Sequence, residues 1–372
     1  MATELFNCFA VAAPGLEPIV ARELRALGER ARVEDGGVSW TGDARSVMRA
    51  NLWLRTATRV LVRVARFKAS TFAELQRNAN RVNWERFVAP GRGVEFAVTA
   101  RKSKLIHTAA IEQRLRSAIK DQRPKTDDRR PQPTASQLFV VRVVRDEFEI
   151  SSDSSGELLH MRGYRQAIGK APIRETLAAA LLLGADWNGD TPLIDPFCGS
   201  GTIPIEAALI ARRIAPGINR TFAVLGWPGV DLAAWTTLFK EARGGERPTT
   251  PVPIVGSDRD KGAIAASRAN AERAGVLADI EFTQQAVSAI ELPAGAAGLI
   301  ATNPPYGVRA SPKADVRNLY AQLGNVVRGK CPGWRVALYS AQQRLTAELR
   351  METAELFRTK NGGLKVTASR SS

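Results

Sequence analysis

The sequence predicts an α/β fold whose carboxyl-terminal half contains a mostly parallel sheet with ligand-binding loops along one edge. Three short apolar runs support this prediction, and each ends in a polar residue or a tight turn: residues 192–195, 252–258 and 297–303. Helical composition follows the first two runs, as expected of repeated strand–turn–helix units. In such sheets the carboxyl ends of parallel strands lie side by side and bind the ligand.

The first run leads into the motif Asp195-Pro-Phe-Cys-Gly-Ser-Gly-Thr202. Gly199 and Gly201 allow a tight turn and a close approach of backbone to ligand, and the helical segment 203–210 places a helix N-terminus beside them. A glycine-rich turn alone is unspecific, because dehydrogenases, kinases and purely structural turns also contain one. The whole motif predicts a cofactor over this loop, contacted by Asp195, Pro196, Phe197, Cys198, Gly199, Gly201 and Thr202.

What the loop lacks narrows the identity of that cofactor. The loop has neither the Lys-Ser/Thr ending of a phosphate-cradling loop nor the G-x-G-x-x-G spacing of a dinucleotide site, which disfavours a pyrophosphate ligand. The carboxylate of Asp195 suits a cationic or amine-bearing ligand better. S-adenosylmethionine carries both an ammonium and a sulfonium group, so we expect it to be the cofactor.

The second apolar run ends at Asp258. An acid at the end of the second strand of a nucleotide-binding fold accepts hydrogen bonds from ribose hydroxyls, so Asp258 is the predicted ribose ligand. The alternative is that Asp258 caps the helical segment 261–274, although Asp260 competes for that role.

The third run precedes Asn303-Pro-Pro-Tyr306. Two prolines fix φ and remove backbone donors, so Pro304 and Pro305 leave carbonyl acceptors beside the side-chain oxygen of Asn303. Such acceptors suit an exocyclic amino group, because hydrogen bonds from both of its N–H groups turn the nitrogen lone pair toward an incoming methyl group. Tyr306 is predicted to stack on the base. The alternative is a proline-stiffened turn.

Four segments together resemble the THUMP-domain RNA guanine-N2 methyltransferases, a group within the class I S-adenosylmethionine-dependent methyltransferases. They are the two motifs just described, Asn303-Pro-Pro-Tyr being taken as far as Arg309, with His160-Met-Arg-Gly-Tyr-Arg165 and Ala171-Pro-Ile-Arg-Glu-Thr-Leu-Ala178. The resemblance covers almost the whole chain. It implies a Rossmann-like, seven-stranded methyltransferase domain over residues 156–372, preceded over residues 1–155 by a ferredoxin-like piece and an α/β THUMP-type RNA-binding module.

The resemblance also implies methylation of the N2 amino group of a guanosine in structured RNA, with 23S ribosomal RNA favoured over tRNA. It assigns cofactor contacts to residues 195–202, Asp258 and Asn303, and catalysis to Asn303, Pro304, Pro305 and Tyr306. One residue of the family pattern is absent, because Ala286 stands where an Asp usually holds the adenine amine. Gln285 or a backbone group is the candidate substitute.

The charge of the chain predicts a polyanionic partner. The net charge is +16, and residues 1–155 contain 27 Lys and Arg against 18 Asp and Glu. Such side chains supply phosphate contacts that do not depend on base sequence. The predicted RNA contacts are Arg101, Lys102 and Lys104 in a basic segment and Arg162, Tyr164 and Arg165 in the segment that joins the two halves. The alternatives are a solvated basic surface and a linker with a packed tyrosine.

Periodicity predicts a mixed α/β amino-terminal half. The predicted elements are helices over 16–27 and 108–120, strands over 60–65 and 94–98, and a hairpin over 138–150. Turn composition predicts an exposed loop over 122–133 and a domain joint over 151–156. Residues 211–251 are interpreted as an insertion whose Trp227 and Trp235 fill the core. The last strands are predicted at 334–339 and near 360–363.

The three cysteines and two histidines of the chain do not predict a metal site. Cys8, Cys198 and Cys331 show no metal-ligand spacing and no even disulfide set, so neither zinc nor a His-based triad is expected. Cys198 is interpreted as a small apolar filler. No signal peptide or apolar run of membrane length is recognised, so a cytoplasmic location is expected.

Two other functions stay open at this point. Asn-Pro-Pro-Tyr also serves adenine-N6 and glutamine methyltransferases, which makes a DNA or protein amino group the alternative acceptor, although the basic amino-terminal half argues against both. The second alternative is an RNA-binding assembly factor without turnover, which the departure at Ala286 allows. The intact Asn303-Pro-Pro-Tyr306 motif argues against it.

Overall fold

The structure is a computed structural model that describes residues 4–122, 136–166, 173–293, 296–305 and 316–371. Its elements surround two seven-stranded sheets. The elements of the first half are β1 (Phe6–Ala12), α1 (Glu17–Ala26), β2 (Arg32–Glu34), β3 (Gly37–Gly42), α2 (Ala44–Trp53), β4 (Ala57–Lys68), α3 (Phe72–Ala79), β5 (Val94–Arg101), α4 (Thr108–Gln122), β6 (Gln137–Val144) and β7 (Glu147–Asp153).

The second half begins with a buried helix and contains the second sheet. Its elements are α5 (Glu175–Gly184), β8 (Leu193–Asp195), α6 (Thr202–Ala211), α7 (Leu232–Gly244), β9 (Ile254–Asp258), α8 (Lys261–Arg273), β10 (Glu281–Gln284), β11 (Leu299–Thr302), α9 (Val316–Lys330), β12 (Arg335–Ser340), α10 (Gln343–Ala347), β13 (Thr353–Asn361) and β14 (Leu364–Ser371).

The first sheet has the strand order β2-β3-β1-β4-β7-β6-β5. Strands β5 and β6 are parallel, whereas the other neighbouring strands are antiparallel. Capping side chains fix the helices around it: Asp43 accepts a hydrogen bond from the Ser46 backbone N–H at the start of α2, and Thr71 does the same for Glu74 at the start of α3. Such N-caps satisfy donors that a helix leaves unpaired.

The second sheet has the order β10-β9-β8-β11-β12-β14-β13. Strands β10, β9, β8, β11 and β12 are parallel, and β14 runs antiparallel to β12 and β13. Strands β8 and β11 are buried along their whole length, as expected where helices cover both faces of a parallel sheet. The predicted α/β class with a mostly parallel, seven-stranded sheet is confirmed.

The two sheets share a buried interface. The indole N–H of Trp227 donates to Gln137 Oε1 of β6 at 2.9 Å, and its ring packs against Phe87. The backbone N–H of Gly217 donates to Leu52 O at the end of α2. Trp235 packs against Phe222. Trp227 is therefore in the interior, as the sequence indicates, whereas Trp235 is only partly buried against the core.

The segment 151–156, predicted as the domain joint, is buried at residues 151–155, and the domain boundary itself stays a prediction. Residues 151–153 belong to β7, and Ser154 and Ser155 are fully buried behind it. Ser154 Oγ donates to Val60 O at 2.7 Å, and Ser155 Oγ donates to Asn51 Oδ1 at 2.6 Å. Small polar residues resemble a solvated linker in a sequence, but here hydrogen bonds to β4 and α2 satisfy them in the interior. The predicted loop over 122–133 lies almost entirely outside the described residues.

Two features of the described residues bear on other classes of site. No helix there is long and apolar enough to cross a bilayer. Nor do three or more His, Cys, Asp or Glu side chains converge in those ranges as metal ligands.

Candidate active site

The glycine loop follows β8 and leads directly into α6. Gly199 and Gly201 both have positive φ, at 54° and 82°, a region that L side chains rarely adopt. A Cβ on Gly201 would lie 3.0 Å from Ser267 Cβ, whereas a Cβ on Gly199 would meet nothing within 4 Å. The loop therefore packs against protein at Gly201 and has open space beside Gly199, next to the N-terminus of α6.

Helix α8 holds this loop through two buried polar side chains. Ser267 Oγ donates to Gly199 O at 2.7 Å, and Asn270 Nδ2 donates to Ser200 O at 2.9 Å. Both side chains are fully buried. Sequence reasoning missed them, although their spacing of three residues within an alanine-rich helix puts two polar groups on one face.

Asp258 ends β9, directly beside β8. Its Oδ2 accepts a hydrogen bond from the Gly199 backbone N–H at 3.1 Å, and its Oδ1 accepts one from the Asp260 N–H at 3.0 Å. Asp260 caps α8 by accepting from Gly262 and Ala263. Asp258 is thus not the helix cap, and its carboxylate touches the glycine loop.

Asp195 ends β8 and is 1% exposed. Its Oδ1 accepts hydrogen bonds from Thr302 Oγ1 at 2.6 Å and from the Phe197 N–H at 3.1 Å. Burial raises the pKa of this carboxyl to about 7, and the negative charge of Asp258 acts in the same direction. The carboxyl ends of β8 and β9 therefore place two acids beside one loop, and a cationic ligand would favour their ionised forms.

Asn303 follows β11, the neighbour of β8 on its other side. Its side chain is half-buried, and its Oδ1 is a buried acceptor without a hydrogen-bond partner among the described residues. Pro304 is buried and Pro305 is exposed. Tyr306 lies outside the described residues. Unpaired buried acceptors are uncommon in folded proteins and call for an explanation.

Gln285 lies at the same edge of the sheet. Its backbone N–H donates to Asp258 O at 3.0 Å, just beyond the end of β10. Ala286 is exposed and precedes a short 3₁₀ turn over Val287–Ala289. Gln285 is therefore next to the predicted ribose ligand, where a substitute for the absent Asp would be needed.

Cys198 is 6% exposed, and its Sγ lies 3.8 Å from Ser267 Oγ. Burial raises the pKa of the thiol well above its ordinary value, and the charge of Asp195 adds to the effect. A thiol held protonated is a poor nucleophile. Cys198 accordingly fills space in the loop, as the sequence indicates.

Arg162 and Tyr164 do not lie on an RNA-accessible surface. They are 5% and 4% exposed. Arg162 donates to Arg55 O at 2.5 Å and lies 3.5 Å from Glu206, to which Tyr164 Oη also donates at 3.0 Å. The predicted RNA contacts from these two residues are therefore corrected to interior hydrogen bonds. The basic composition of the segment gave no sign of Glu206, which is distant in sequence and buried in α6.

Arg165 is only partly exposed and forms an ion pair with Glu175 at 3.1 Å. It also donates to Ile173 O at 2.9 Å. Burial raises the pKa of Glu175 to about 7, which Arg165 opposes. Arg165 therefore anchors the start of α5, and its guanidinium is engaged within the protein.

The other predicted RNA contacts lie on the surface. Arg101, Lys102 and Lys104 are exposed at the end of β5. The Lys104 N–H donates to Asp146 Oδ1 at 2.6 Å, which brings this turn beside the β6–β7 turn. The Ala69 N–H donates to Asp146 O at 2.9 Å. We call the resulting cluster the basic end of the first sheet; its exposed cations are Lys68, Arg101, Lys102, Lys104 and Arg145.

The polar groups at the carboxyl edge of the second sheet fit S-adenosylmethionine. Asp195 and Asp258 suit an ammonium group and ribose hydroxyls, and the open side of Gly199 permits close approach. Asn303 offers an acceptor to which no described residue donates. These groups come from the ends of three neighbouring strands, β8, β9 and β11, so the sheet itself brings them together.

Comparison with known proteins agrees with this arrangement. Residues 162–370 match a family described as RMKL-like methyltransferase domain, and residues 7–61 match one described as the RlmL ferredoxin-like domain. A Synechocystis protein, slr0064, named as a candidate RNA methyltransferase, is 36% identical over 96% of this chain and 94% of its own length.

Two further relatives have informative names. The ribosomal RNA large subunit methyltransferase K/L of Syntrophotalea carbinolica is 36% identical over 96% of this chain, which spans 52% of that protein. The crystal structure of SMU.472, a candidate methyltransferase complexed with S-adenosylhomocysteine, superimposes on this chain with a TM-score of 0.90 and 31% sequence identity. The match covers 100% of this chain and 98% of that one.

The fold, the polar groups and these relatives identify the carboxyl-terminal half as a class I methyltransferase domain, whose cofactor is S-adenosylmethionine. Residues 7–61, at the start of the first sheet, match the ferredoxin-like domain of the RlmL proteins. The chain belongs to the RMKL-like methyltransferase family.

Proposed function

We propose that the protein methylates the N2 amino group of a guanosine in structured RNA, with 23S ribosomal RNA as the first substrate to test. The observation that carries the proposal is the buried Oδ1 of Asn303 at the carboxyl end of β11, which has no hydrogen-bond partner in the part of the chain that the structure describes. Leaving such an acceptor unpaired costs about 1–3 kcal/mol. A substrate amino group would supply the missing donor.

The chemistry of an aromatic amine explains why an acceptor is needed there. The lone pair of such a nitrogen is delocalised into the ring, so the amine is a weak nucleophile. Asn303 Oδ1 and the Pro304 carbonyl accept its two N–H groups and orient the lone pair out of the ring plane. Bound S-adenosylmethionine supplies the electrophilic methyl group. Pro304 and Pro305 lack N–H groups and so present no competing donors, and Tyr306 stacks on the extruded base.

RNA is favoured as the substrate by the surface of the amino-terminal half. The basic end of the first sheet carries five exposed cations on three neighbouring chain segments. Cations grouped in this way bind phosphates without reading bases, and so position the substrate. Residues 1–155, with 27 basic against 18 acidic residues, therefore serve as the RNA-binding part, in line with the names of the relatives.

The product nucleoside tests the proposal directly. The protein is incubated with methyl-labelled S-adenosylmethionine and, separately, ribosomal RNA, tRNA and DNA from cells that lack it, and the products are digested to nucleosides. We expect N2-methylguanosine in 23S ribosomal RNA. If the same nucleoside forms in tRNA alone, the substrate is tRNA and the proposed reaction stands. Label only in methyladenine, or only in DNA, would contradict the proposal.

Asn303→Ala is the matched variant for the same assay. It removes the acceptor, so we expect turnover to fall by at least about 100-fold, the usual size of a lost transition-state contact, while RNA affinity stays within about threefold. Asn83→Ala is the control, because Asn83 is exposed and makes no capping hydrogen bond. A large loss of RNA binding in Asn303→Ala would contradict the catalytic assignment.

A further inference from the structure

Thr302 connects the two loops of the active site. It is the last residue of β11 and is fully buried. Its Oγ1 donates to Asp195 Oδ1 at 2.6 Å, and the same oxygen accepts from the Phe197 N–H. One carboxylate oxygen thus joins the start of the glycine loop to the residue that immediately precedes Asn303.

The hydrogen bond between Thr302 and Asp195 joins β11 to β8 beyond the point where the backbone pairing of these strands ends. Strands β8 and β11 pair only at Leu193–Leu299 and Ile194–Ile300, whereas Asp195 pairs on its other side with Gly256 of β9. Beyond Ile300 the side chains of Asp195 and Thr302 hold the two strand ends together. Strand β11 stays paired with β12 as far as Thr302, and the contact with Asp195 ties this strand end to the cofactor loop on the other side.

We propose that Thr302 is a positioning residue for methyl transfer, which fixes the Asp195 carboxylate toward the cofactor and, through it, the place of Asn303. The role of Asn303 in this inference rests on the proposed function; the effect on Asp195 does not. Valine is the nearest test, because it keeps the shape of threonine but has no hydroxyl.

The charged surroundings of Asp195 determine the direction of the effect. Asp258 on β9 contributes a like charge, and the thiol of Cys198 lies in the same loop. The Thr302 hydroxyl and the Phe197 N–H are the donors that lower the pKa of Asp195 against the effect of burial. Removing Thr302 Oγ1 therefore raises the pKa of Asp195 further, so that a smaller fraction of this carboxyl is ionised at neutral pH. A protonated carboxyl no longer attracts an ammonium group.

The experiment compares Thr302→Val, Thr302→Ser and Thr359→Val. Thr359 is a buried threonine of β13 whose Oγ1 has no hydrogen-bond partner among the described residues, so its replacement controls for the loss of a buried hydroxyl. S-adenosylhomocysteine affinity is measured by calorimetry from pH 6 to 8.5, the Asp195 carboxyl is titrated by carbon-13 NMR in the free protein, and kcat and KM are measured with RNA.

For Thr302→Val we expect S-adenosylhomocysteine affinity about 10-fold weaker at pH 6.5, recovery toward wild type at pH 8.5, and an upward-shifted Asp195 titration. The value of kcat falls by about 10-fold as well, because Asn303 is displaced. Thr302→Ser restores all three to within about threefold, since it keeps the hydroxyl. If Thr302→Val does not fold, Thr302→Cys replaces it, and its weak donor should give intermediate values.

The inference would be overturned if Thr302→Val and Thr359→Val showed the same S-adenosylhomocysteine affinity and the same Asp195 titration. So would a loss in Thr302→Val that is the same at every pH and is not rescued by Thr302→Ser. The binding and NMR measurements contain no RNA, so an unexpected product nucleoside would reject the proposed function while leaving the effect on Asp195 intact. Unchanged kcat with altered binding would reject only the link from Thr302 to Asn303.

Discussion

The guanidinium of Arg55 donates a hydrogen bond to the carbonyl oxygen of Ile214, 2.7 Å away, across the interface between the two sheets. The same nitrogen lies 3.4 Å from Leu209 O, in the last turn of α6. Carbonyl groups at a helix C-terminus lack intrahelical partners, and a basic side chain satisfies them. Leu209 O also accepts the Ile214 backbone N–H at 2.9 Å, so the carbonyl that depends on Arg55 is that of Ile214. Arg55 thus ties the amino-terminal half to the chain just beyond α6, the helix that begins at the glycine loop.

Arg55→Met is expected to lower the free energy of unfolding by about 1–3 kcal/mol, because the Ile214 carbonyl loses its donor. Glu206 also loses a positive neighbour. Equilibrium unfolding in urea measures the change. Arg66→Met is the control, since Arg66 is exposed and pairs only at the surface with Glu147. Equal midpoints for the two variants would show that the Arg55 contact contributes little.

The stability of the ligand-free protein should depend on the ionisation of Asp195. Its pKa is raised to about 7, above a value near 4 in the unfolded chain, so between those values the folded protein binds the extra proton. Stability therefore falls as pH rises through this window, and the penalty of the buried charge is fully present above pH 7. Glu175 and Asp153, with pKa values raised to about 7 and about 6 by burial, act in the same direction.

Asp195→Asn isolates the contribution of this one group, because Asn keeps an acceptor for Thr302 but cannot ionise. We expect the variant to gain about 2 kcal/mol relative to wild type between pH 5.5 and pH 7.5. His160, whose pKa burial lowers to about 4, opposes the trend in both proteins and cancels in the difference. Asp190→Asn, on an exposed turn, provides the control. A difference that does not change with pH would contradict the raised pKa.

Most of the second sheet could be predicted from the sequence because its signals are local. The glycine loop, Asp258 and Asn303 each follow an apolar run, and parallel strands bring their carboxyl ends together. The contacts that hold these groups in place could not be predicted in the same way. Thr302 and Asp195 are 107 residues apart in sequence, and the burial of Arg162 depends on Glu206 in a different element. Long-range hydrogen bonds of this kind leave no periodic pattern.

Gly199→Ala and Gly201→Ala should separate binding from folding. A Cβ at Gly201 approaches Ser267 at 3.0 Å, so Gly201→Ala adds a steric conflict to a positive-φ penalty of about 1–2 kcal/mol. Gly199→Ala carries the φ penalty alone, but its Cβ points into open space that the cofactor would occupy. We expect Gly201→Ala to be the less stable protein in urea.

Binding distinguishes the same two variants. Gly199→Ala should lose more S-adenosylhomocysteine affinity than its stability predicts, measured by calorimetry at a temperature where both proteins are folded. Unaltered affinity in Gly199→Ala would place the cofactor elsewhere.

The basic end of the first sheet can be tested through the salt dependence of RNA binding. Replacing Lys102 and Lys104 by Glu removes two exposed cations. If both contact phosphates, the slope of log affinity against log salt decreases by about 0.7–0.9 per contact, and affinity falls for every RNA sequence alike. At saturating RNA, kcat should stay within about twofold, because these residues position the substrate and do not touch the reacting groups. The control is the double replacement of Lys360 and Lys365 by Glu, because both lysines are exposed and lie on the β13–β14 hairpin. Equal slopes for the two double variants would mean that RNA approaches the protein from another side.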